Sequence, residues 1–436
     1  MSREPHRSRR RFLKATGVVA VTGLAGCTGD GGDGTTPTTG DGDNGEDGGT
    51  DGGSVRIGTI LPFTGNLDAY GGGMQAAVDL AVEDINGAGG VLGREVEASH
   101  KDSETDATAS SQRYQELVNE EGVVGFVGAA GSGQSVPLAE NVADDGVIQV
   151  SPASTTPVLA DLGYSGDVKY FGRTAPNDGQ QGIVMGRILN DDEYLGADTA
   201  AFLYINNPYG EGLAEAAESE FDGETVASVG YNPDTSDYTS TLDQVFADDP
   251  DAVGFVGYPD NGVSIIEQWS DGGYGGEWVL SEGLQSQEEF LDPLGDIVEG
   301  MYITVPESAS AEGSETFEGK MRDTGTDPTA FSHHSYDATV LMALAAERAG
   351  EASGEAIARN IRAVSRPPGE TVTVGDFEEA KGILEDDGEI NYEGASSSVD
   401  LNENLEPLTD FSISRIEGGE VAGLESIPRE EFEGRL

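Results

Sequence analysis

From Ser54 onward, short apolar runs alternate with helix-patterned stretches, and no other feature of the chain restricts its fold as strongly. Runs near 55–61, 95–100, 123–128, 147–150, 199–205, 225–231, 252–257, 277–281 and 300–305 read as strands. Between the first two, Met74, Ala77, Val78, Ala81 and Ile85 recur at helical spacing on one face, and Asn86-Gly87 supplies a stop. Further helices are expected near 107–120, 178–190, 211–220, 238–247, 262–272, 314–322 and 336–350. Strand–helix–strand alternation is met by parallel sheets covered with helices, an α/β class. About 380 residues in this pattern exceed what one core usually holds, which predicts two α/β domains. No apolar run is long enough for a transmembrane helix.

Charge narrows the partners. With 23 Lys+Arg against 81 Asp+Glu, the formal charge is −58. No basic face survives in such a field, so nucleic acid is excluded as a partner. Self-repulsion on this scale loosens a compact fold in dilute buffer, whereas at molar salt the Debye length falls to about 3 Å and the repulsion is screened. The acidity therefore points to a saline habitat more than to a function. Disorder, the other reading of high acidity, is opposed beyond residue 54 by the regular apolar blocks.

The chain opens differently. Arg9-Arg10 precede Phe12-Leu13-Lys14, a weakly apolar stretch runs from Ala15 to Ala25, and Leu24-Ala25-Gly26-Cys27 closes it. Basic, apolar and small residues in that order are the layout of an export signal. The first motif resembles a twin-arginine signal, and the last resembles a lipobox, in which Cys27 becomes the lipidated first residue. Cys27 is the only cysteine, which excludes an intrachain disulfide and a cysteine-based metal site. The expectation is a signal over 1–27 and a protein lipid-anchored to the outer face of the cytoplasmic membrane. Residues 28–53, nearly all Gly, Asp and Thr, are expected to form a solvated tether.

In open parallel sheets, ligands bind where loops leave the carboxyl ends of strands. Those exits here carry Gly131-Ser132-Gly133, Ser151-Pro152-Ala153-Ser154-Thr155, Asn206-Asn207-Pro208-Tyr209-Gly210, Tyr258-Pro259 and Glu282-Gly283. The hydroxyls of Ser132 and Thr155, with nearby N–H groups, can donate to a carboxylate, and Glu282 can accept from an ammonium. Each such charge-assisted bond contributes about 1.5–3 kcal/mol. Tyr209 and Tyr258 offer flat apolar walls with a hydroxyl handle. The set describes a receptor for a zwitterion such as a free amino acid. Each member also has a plainer reading: Ser132 and Thr155 as helix caps, the tyrosines as loop aromatics, Glu282 as one of many acids.

Catalytic patterns are missing. There is no Gly-x-Ser-x-Gly elbow and no phosphate loop. His333 and His334 are adjacent and point to different sides of their element, which favours a cap or surface role over a shared metal. Asp102-x-Glu104-x-Asp106 opens like a calcium loop, but Ala107 and Arg113 occupy the positions that need Gly and Glu, so a turn before a helix is the better account. No cofactor or metal is expected.

Taken in order, IGTILPFTG, YGGGMQAAVDLAVEDINGAGGVLGREV, the SPAST loop, NNPYGEGLAEA and VGYPDNG make the chain resemble the solute-binding proteins of ABC transporters for branched-chain amino acids, the Leu/Ile/Val-binding type, as a haloarchaeal-type lipoprotein. The resemblance runs from Val55 to about Glu417. It implies a type I periplasmic-binding-protein fold, two Rossmann-like lobes joined by crossover strands and closing like a flytrap. On that pattern lobe I takes 54–174 and 303–400, and lobe II takes 175–302 and 401–436. The resemblance further implies that Ser132 and Thr155 hold the ligand's carboxylate and amino end, that Ala153 offers its backbone, and that Tyr209 and Tyr258 come from the second lobe. Glu282 takes the ammonium, and Tyr70 lines the side-chain pocket. Gly131 stands beside Ser132 where some relatives carry cysteine. The implied function is that of a monomeric, non-enzymatic receptor for an amino acid, branched-chain or similarly apolar, that delivers it to an ABC permease. The alternatives within the fold are a sensor, or a receptor for an amide, urea or aromatic acid. An exported hydrolase would need a nucleophile–base pair.

Overall fold

Five parallel strands build the first sheet, in the order Val96–Asp102, Val55–Leu61, Gly125–Gly128, Ile148–Ser151, Phe171–Arg173. This computed structural model describes residues 53–307 and 311–435. The expected export segment with Cys27, and the tether apart from Gly53, lie outside the described residues. Strand Val55–Leu61 is buried at every position but one, the pattern of a strand covered on both faces. Helix Asp68–Gly87 covers it with Ala77, Val78, Ala81 and Ile85, the stripe read from the sequence. The stop is built as expected: Asn86 exchanges two hydrogen bonds with the backbone of Val96, at 2.9 and 2.8 Å, and so starts the next strand.

The first core is finished by residues far along the chain. Helix Ser332–Ala349 is buried continuously from His334 to Glu347 and joins the same cluster as Phe126, Ile148 and Val150. Helix Gly354–Val364 adds Ile357, Ile361 and Val364. Asp337, wholly buried, accepts from Tyr392 Oη, Ser396 Oγ and the N–H groups of Ala395 and Ser396, which pins the loop that follows.

A second sheet of seven strands runs Glu420–Ile427, Phe411–Glu417, Tyr302–Pro306, Glu277–Leu280, Ala252–Val256, Thr199–Ile205, Glu224–Tyr231. Phe411–Glu417 is antiparallel to both its neighbours, and the others that pair are parallel. Gly418 and Gly419 link the last two strands at φ 64° and 83°, the positive values a two-residue hairpin turn of matching twist demands. Phe202, Phe255, Trp278, Ile303 and Ile413 centre a second core.

The chain passes between the cores three times, near 173–178, after Pro306 and near 406–410. Two expected boundaries shift as a result. The change at 302/303 falls inside Tyr302–Pro306, which belongs to the second sheet throughout. Leu401 and Leu405 still pack in the first core, so the return comes a few residues after 400/401. The histidine expectation is also corrected. His334 is buried against Phe331 and the His333 ring lies 4.5 Å from that of Phe317, so neither caps the helix nor serves a surface role. Among the described residues, no helix is long and apolar enough to cross a membrane.

A fold this acidic should depend steeply on salt. Raising KCl from about 0.1 M to about 2 M is expected to lift the melting temperature by on the order of 10 °C, because the shortened Debye length removes repulsion among exposed carboxylates. Thermal scans across that range check it, and a flat profile would contradict it.

Candidate binding site

The exit loops of both sheets meet at one cavity. Its wall takes Leu67, Tyr70, Met74, Ala130, Gly131, Ser132, Ala153 and Phe331 from the side of the first sheet, and Tyr209, Tyr258, Glu282 and Gly283 from the second. It spans about 370 Å³ of atom-free space, the open solvent at its mouth included, and most of its lining is apolar. The facing loops touch: Tyr70 Oη donates to the Gly283 carbonyl at 3.2 Å. At Gly212, on the helix Pro208–Glu220, an added Cβ would sit 2.8 Å from Thr156 Oγ1 and 3.0 Å from Pro157 Cδ. A glycine is what permits this closeness.

Ser132 opens the helix Ser132–Ala139 and is buried. Its Oγ accepts from the N–H groups of Thr155 and Thr156 at 3.2 and 3.3 Å. A hydroxyl has one donor and two acceptor positions. With both acceptor positions filled, the Ser132 O–H is left to donate into the cavity. The loop carrying those N–H groups is held by serines. Ser151 Oγ donates to the Ala129 carbonyl at 2.7 Å, and Ser154 Oγ lies within hydrogen-bond distance of the Ala129 and Ala130 carbonyls and of Ser135 Oγ.

Opposite, the rings of Tyr209 and Tyr258 stack at 5.5 Å with planes 2° apart. Tyr209 Oη lies 2.9 Å from Ser281 Oγ and 3.0 Å from Glu282 Oε2. Burial, followed by the charge of Glu282, pushes the Tyr209 hydroxyl well above its ordinary pKa, so it stays a donor. Burial also raises the Glu282 carboxyl, against the pull of hydrogen bonds from Gln181 and Tyr209.

Thr155 is placed differently from its expected neighbours. It is buried behind the wall, not in it, and its hydroxyl has no hydrogen-bond partner among the described residues. Beside it stands Asp178, wholly buried, whose carboxylate faces the Thr155 hydroxyl without good hydrogen-bond geometry and meets no other protein donor among the described residues. Burial raises the Asp178 carboxyl well above its ordinary value and the charge of Glu282 raises it further, while Thr155 and Arg173 draw it down. The charge of Glu282 thus reaches a second buried carboxyl behind the cavity wall. A cation beside Glu282 would offset that charge.

Six of the seven residues named from the sequence line the cavity: Tyr70, Ser132, Ala153, Tyr209, Tyr258 and Glu282. The sequence reading missed Asp178, Leu67, Met74 and Phe331. Asp178 starts the helix after Phe171–Arg173, a parallel strand of only three residues with no pattern of its own in the sequence, so the strand-exit rule was not applied there. Phe331 holds φ 63° just before the helix Ser332–Ala349, a strained backbone for a bulky residue that turns up at a cavity wall.

Residues 54–384 match the profile of a family described as periplasmic binding protein. The chemotactic signal transduction system substrate-binding protein BasB of Halobacterium salinarum is 36% identical over 367 residues, which cover 84% of this chain and 87% of that one. A leucine-, isoleucine-, valine-, threonine-, and alanine-binding protein of Pseudomonas aeruginosa is 29% identical over 320 residues, covering 71% and 82%. Among solved structures, the leucine binding protein LivK of Thermotoga maritima aligns with a TM-score of 0.72 at 23% identity, over 86% of this chain and 99% of that one.

Proposed function

Because the chain belongs to the periplasmic binding protein family, whose members are solute-binding receptors of the cell exterior, we propose that its cavity captures an amino acid with an apolar side chain. The observation that carries this is the polarity of the two ends. Ser132, on the first wall, has an O–H left to donate, while Glu282 lies buried in the facing wall with a charge to neutralise. A zwitterion satisfies both ends at once. Leu67, Met74, Ala130 and Phe331 then surround its side chain. Water is shut out as the loops meet, which strengthens every charge-assisted bond inside.

Capture also biases shape. A ligand held by both walls favours the closed arrangement by the difference between its affinities for the closed and open forms. The closed surface is what a membrane partner would read, and an ABC permease is the partner in this proposal. Export by the twin-arginine route, a lipid anchor at Cys27 and a monomeric state belong to the same reading, as does the absence of a reaction. The identity with BasB supports a second role for the same capture, handing ligand state to a chemotaxis partner. Loss of uptake without loss of taxis on deleting the gene favours the permease; the reverse favours the sensor.

Calorimetric titration in about 1 M KCl, where repulsion is screened, tests the reading with amino acids, amides, urea and aromatic acids. One-to-one binding of leucine, isoleucine or valine is the expected result. Heat from an amide or aromatic acid alone overturns the ligand, and silence across the panel overturns the receptor.

A further inference from the structure

One fully buried ion pair lies beside the cavity without lining it. Arg173 ends the last strand of the first sheet, and Glu406 lies on the returning segment between the cores; their side chains are 0% and 4% exposed and meet at 2.6 Å. The other end of the guanidinium donates from one nitrogen to the carbonyls of Ser154 and Thr156, at 3.1 and 3.0 Å. These carbonyls flank Thr155. Held toward Arg173, the Ser154 carbonyl leaves the Thr155 N–H, at the other edge of the same peptide plane, turned to Ser132, while the Thr156 carbonyl fixes the plane shared with Pro157. The Thr155 carbonyl in turn accepts from the Asp178 N–H at 2.9 Å.

The same pair gathers the two crossing segments. Asn177 donates to Glu406 Oε2 at 2.9 Å, the Arg173 N–H donates to the Leu405 carbonyl at 2.9 Å, and Gln180 bonds both Pro407 and Thr409. A buried ion pair is a poor way to gain stability, since an apolar pair of the same volume often does as well or better. This one is also incompletely used, because Arg173 Nε and Glu406 Oε1 have no protein partner. What it does supply is direction: a planar fork fixes two carbonyls at set angles, which no apolar side chain can do.

We propose that Arg173, anchored by Glu406, is the positioning residue of the ligand loop, fixing the peptide plane before Thr155 and the one after Thr156 and tying them to the segments on which the lobes turn. Affinity then depends on the pair through the aim of Ser132 and its donors, not through the strength of the fold. The inference rests on the amino-acid reading only for its choice of ligand.

The test replaces the pair by an apolar one, Arg173→Met with Glu406→Leu, in the full chain. Melting temperature should stay within about 3 °C of the unaltered protein. Leucine affinity should fall by about thirtyfold or more. In ligand-free protein, the Thr155 and Thr156 amides should exchange hydrogen about tenfold faster or more, while core-strand amides keep their protection. Unchanged exchange of those amides, or unchanged leucine affinity in a folded variant, overturns the proposal. If the unaltered chain does not bind leucine, the amino-acid reading fails, and the exchange arm still decides the role of Arg173. Should the double variant not fold, Glu406→Gln takes its place, with about fivefold faster exchange expected and none overturning the proposal.

Discussion

Glu282→Gln is expected to weaken leucine binding by about a hundredfold or more, because removing one partner of a buried, bonded charge pair leaves the other uncompensated at about 3–5 kcal/mol. The carboxylate is 4% exposed and Tyr209 Oη points at it from 3.0 Å, so water cannot take the place of the lost charge. Gln has nearly the same shape, which keeps the stacked tyrosines in place. 4-Methylpentanamide, with leucine's carbon frame and no ammonium, should lose little in the same variant. Titration of both ligands against both proteins reads the difference. An equal loss for the two would sink the ammonium assignment while leaving the cavity intact.

Acid should release the ligand at a pH where ordinary carboxylates are still charged. Glu282 and Asp178 are both raised, by burial first, and the charge of Glu282 raises Asp178 further. As pH falls through the raised values the pair takes up a proton, its charge drops, and the ammonium loses its counterpart. Affinity should fall by up to about tenfold per pH unit in that window. The stability of the ligand-free protein has the opposite sign. A carboxyl raised on folding contributes stability that is complete below its unfolded pKa and is lost as pH rises through the folded one. Ligand-free protein is therefore weakened toward neutral pH by these two groups, and bound amino acid restores what was lost. The gap between ligand-bound and ligand-free melting temperatures should widen as pH rises above the ordinary carboxylate range toward neutral, in molar KCl. Asp178→Asn should flatten most of that widening. A constant gap in the unaltered chain would remove the carboxyl pair from the binding step.

Much of this site was legible because it obeys one rule. Ser132, Ala153, Tyr209, Tyr258 and Glu282 all follow the carboxyl ends of parallel strands whose apolar runs stand out in the sequence. Arg173 and Asp178 escaped that rule because they end and follow a strand of only three residues, and Phe331 because it stands between two helices and leaves no strand. Other misses had signals that were present. Helix Gly354–Val364 carries Ile357, Ile361 and Val364 at helical spacing. The hairpin of Phe411–Glu417 and Glu420–Ile427 has alternating residues around Gly418-Gly419. The three-residue strand Phe171–Arg173 is different in kind. Its pairing with Ile148–Ser151 exists only once the sheet is assembled, and so short a run has no pattern of its own. Thr155 shows the limit of motif reading: it sits two residues from Ala153 of the wall, yet its hydroxyl stands behind that wall, beside Asp178.

The order of the segments has a consequence for the protein's birth. Strands 55–151 emerge first from the ribosome, but the helix that buries much of their core, Ser332–Ala349, is made after the whole second sheet except its final hairpin. For most of synthesis the nascent first sheet has an uncovered apolar face, while the second has most of its strands and helices in one unbroken stretch, 178–306. The half begun first is thus the half finished last, and its long-range contacts form late and slowly. Until then the dense negative charge of the chain keeps neighbouring copies apart, so the acidity that burdens the finished fold in dilute buffer protects the unfinished one.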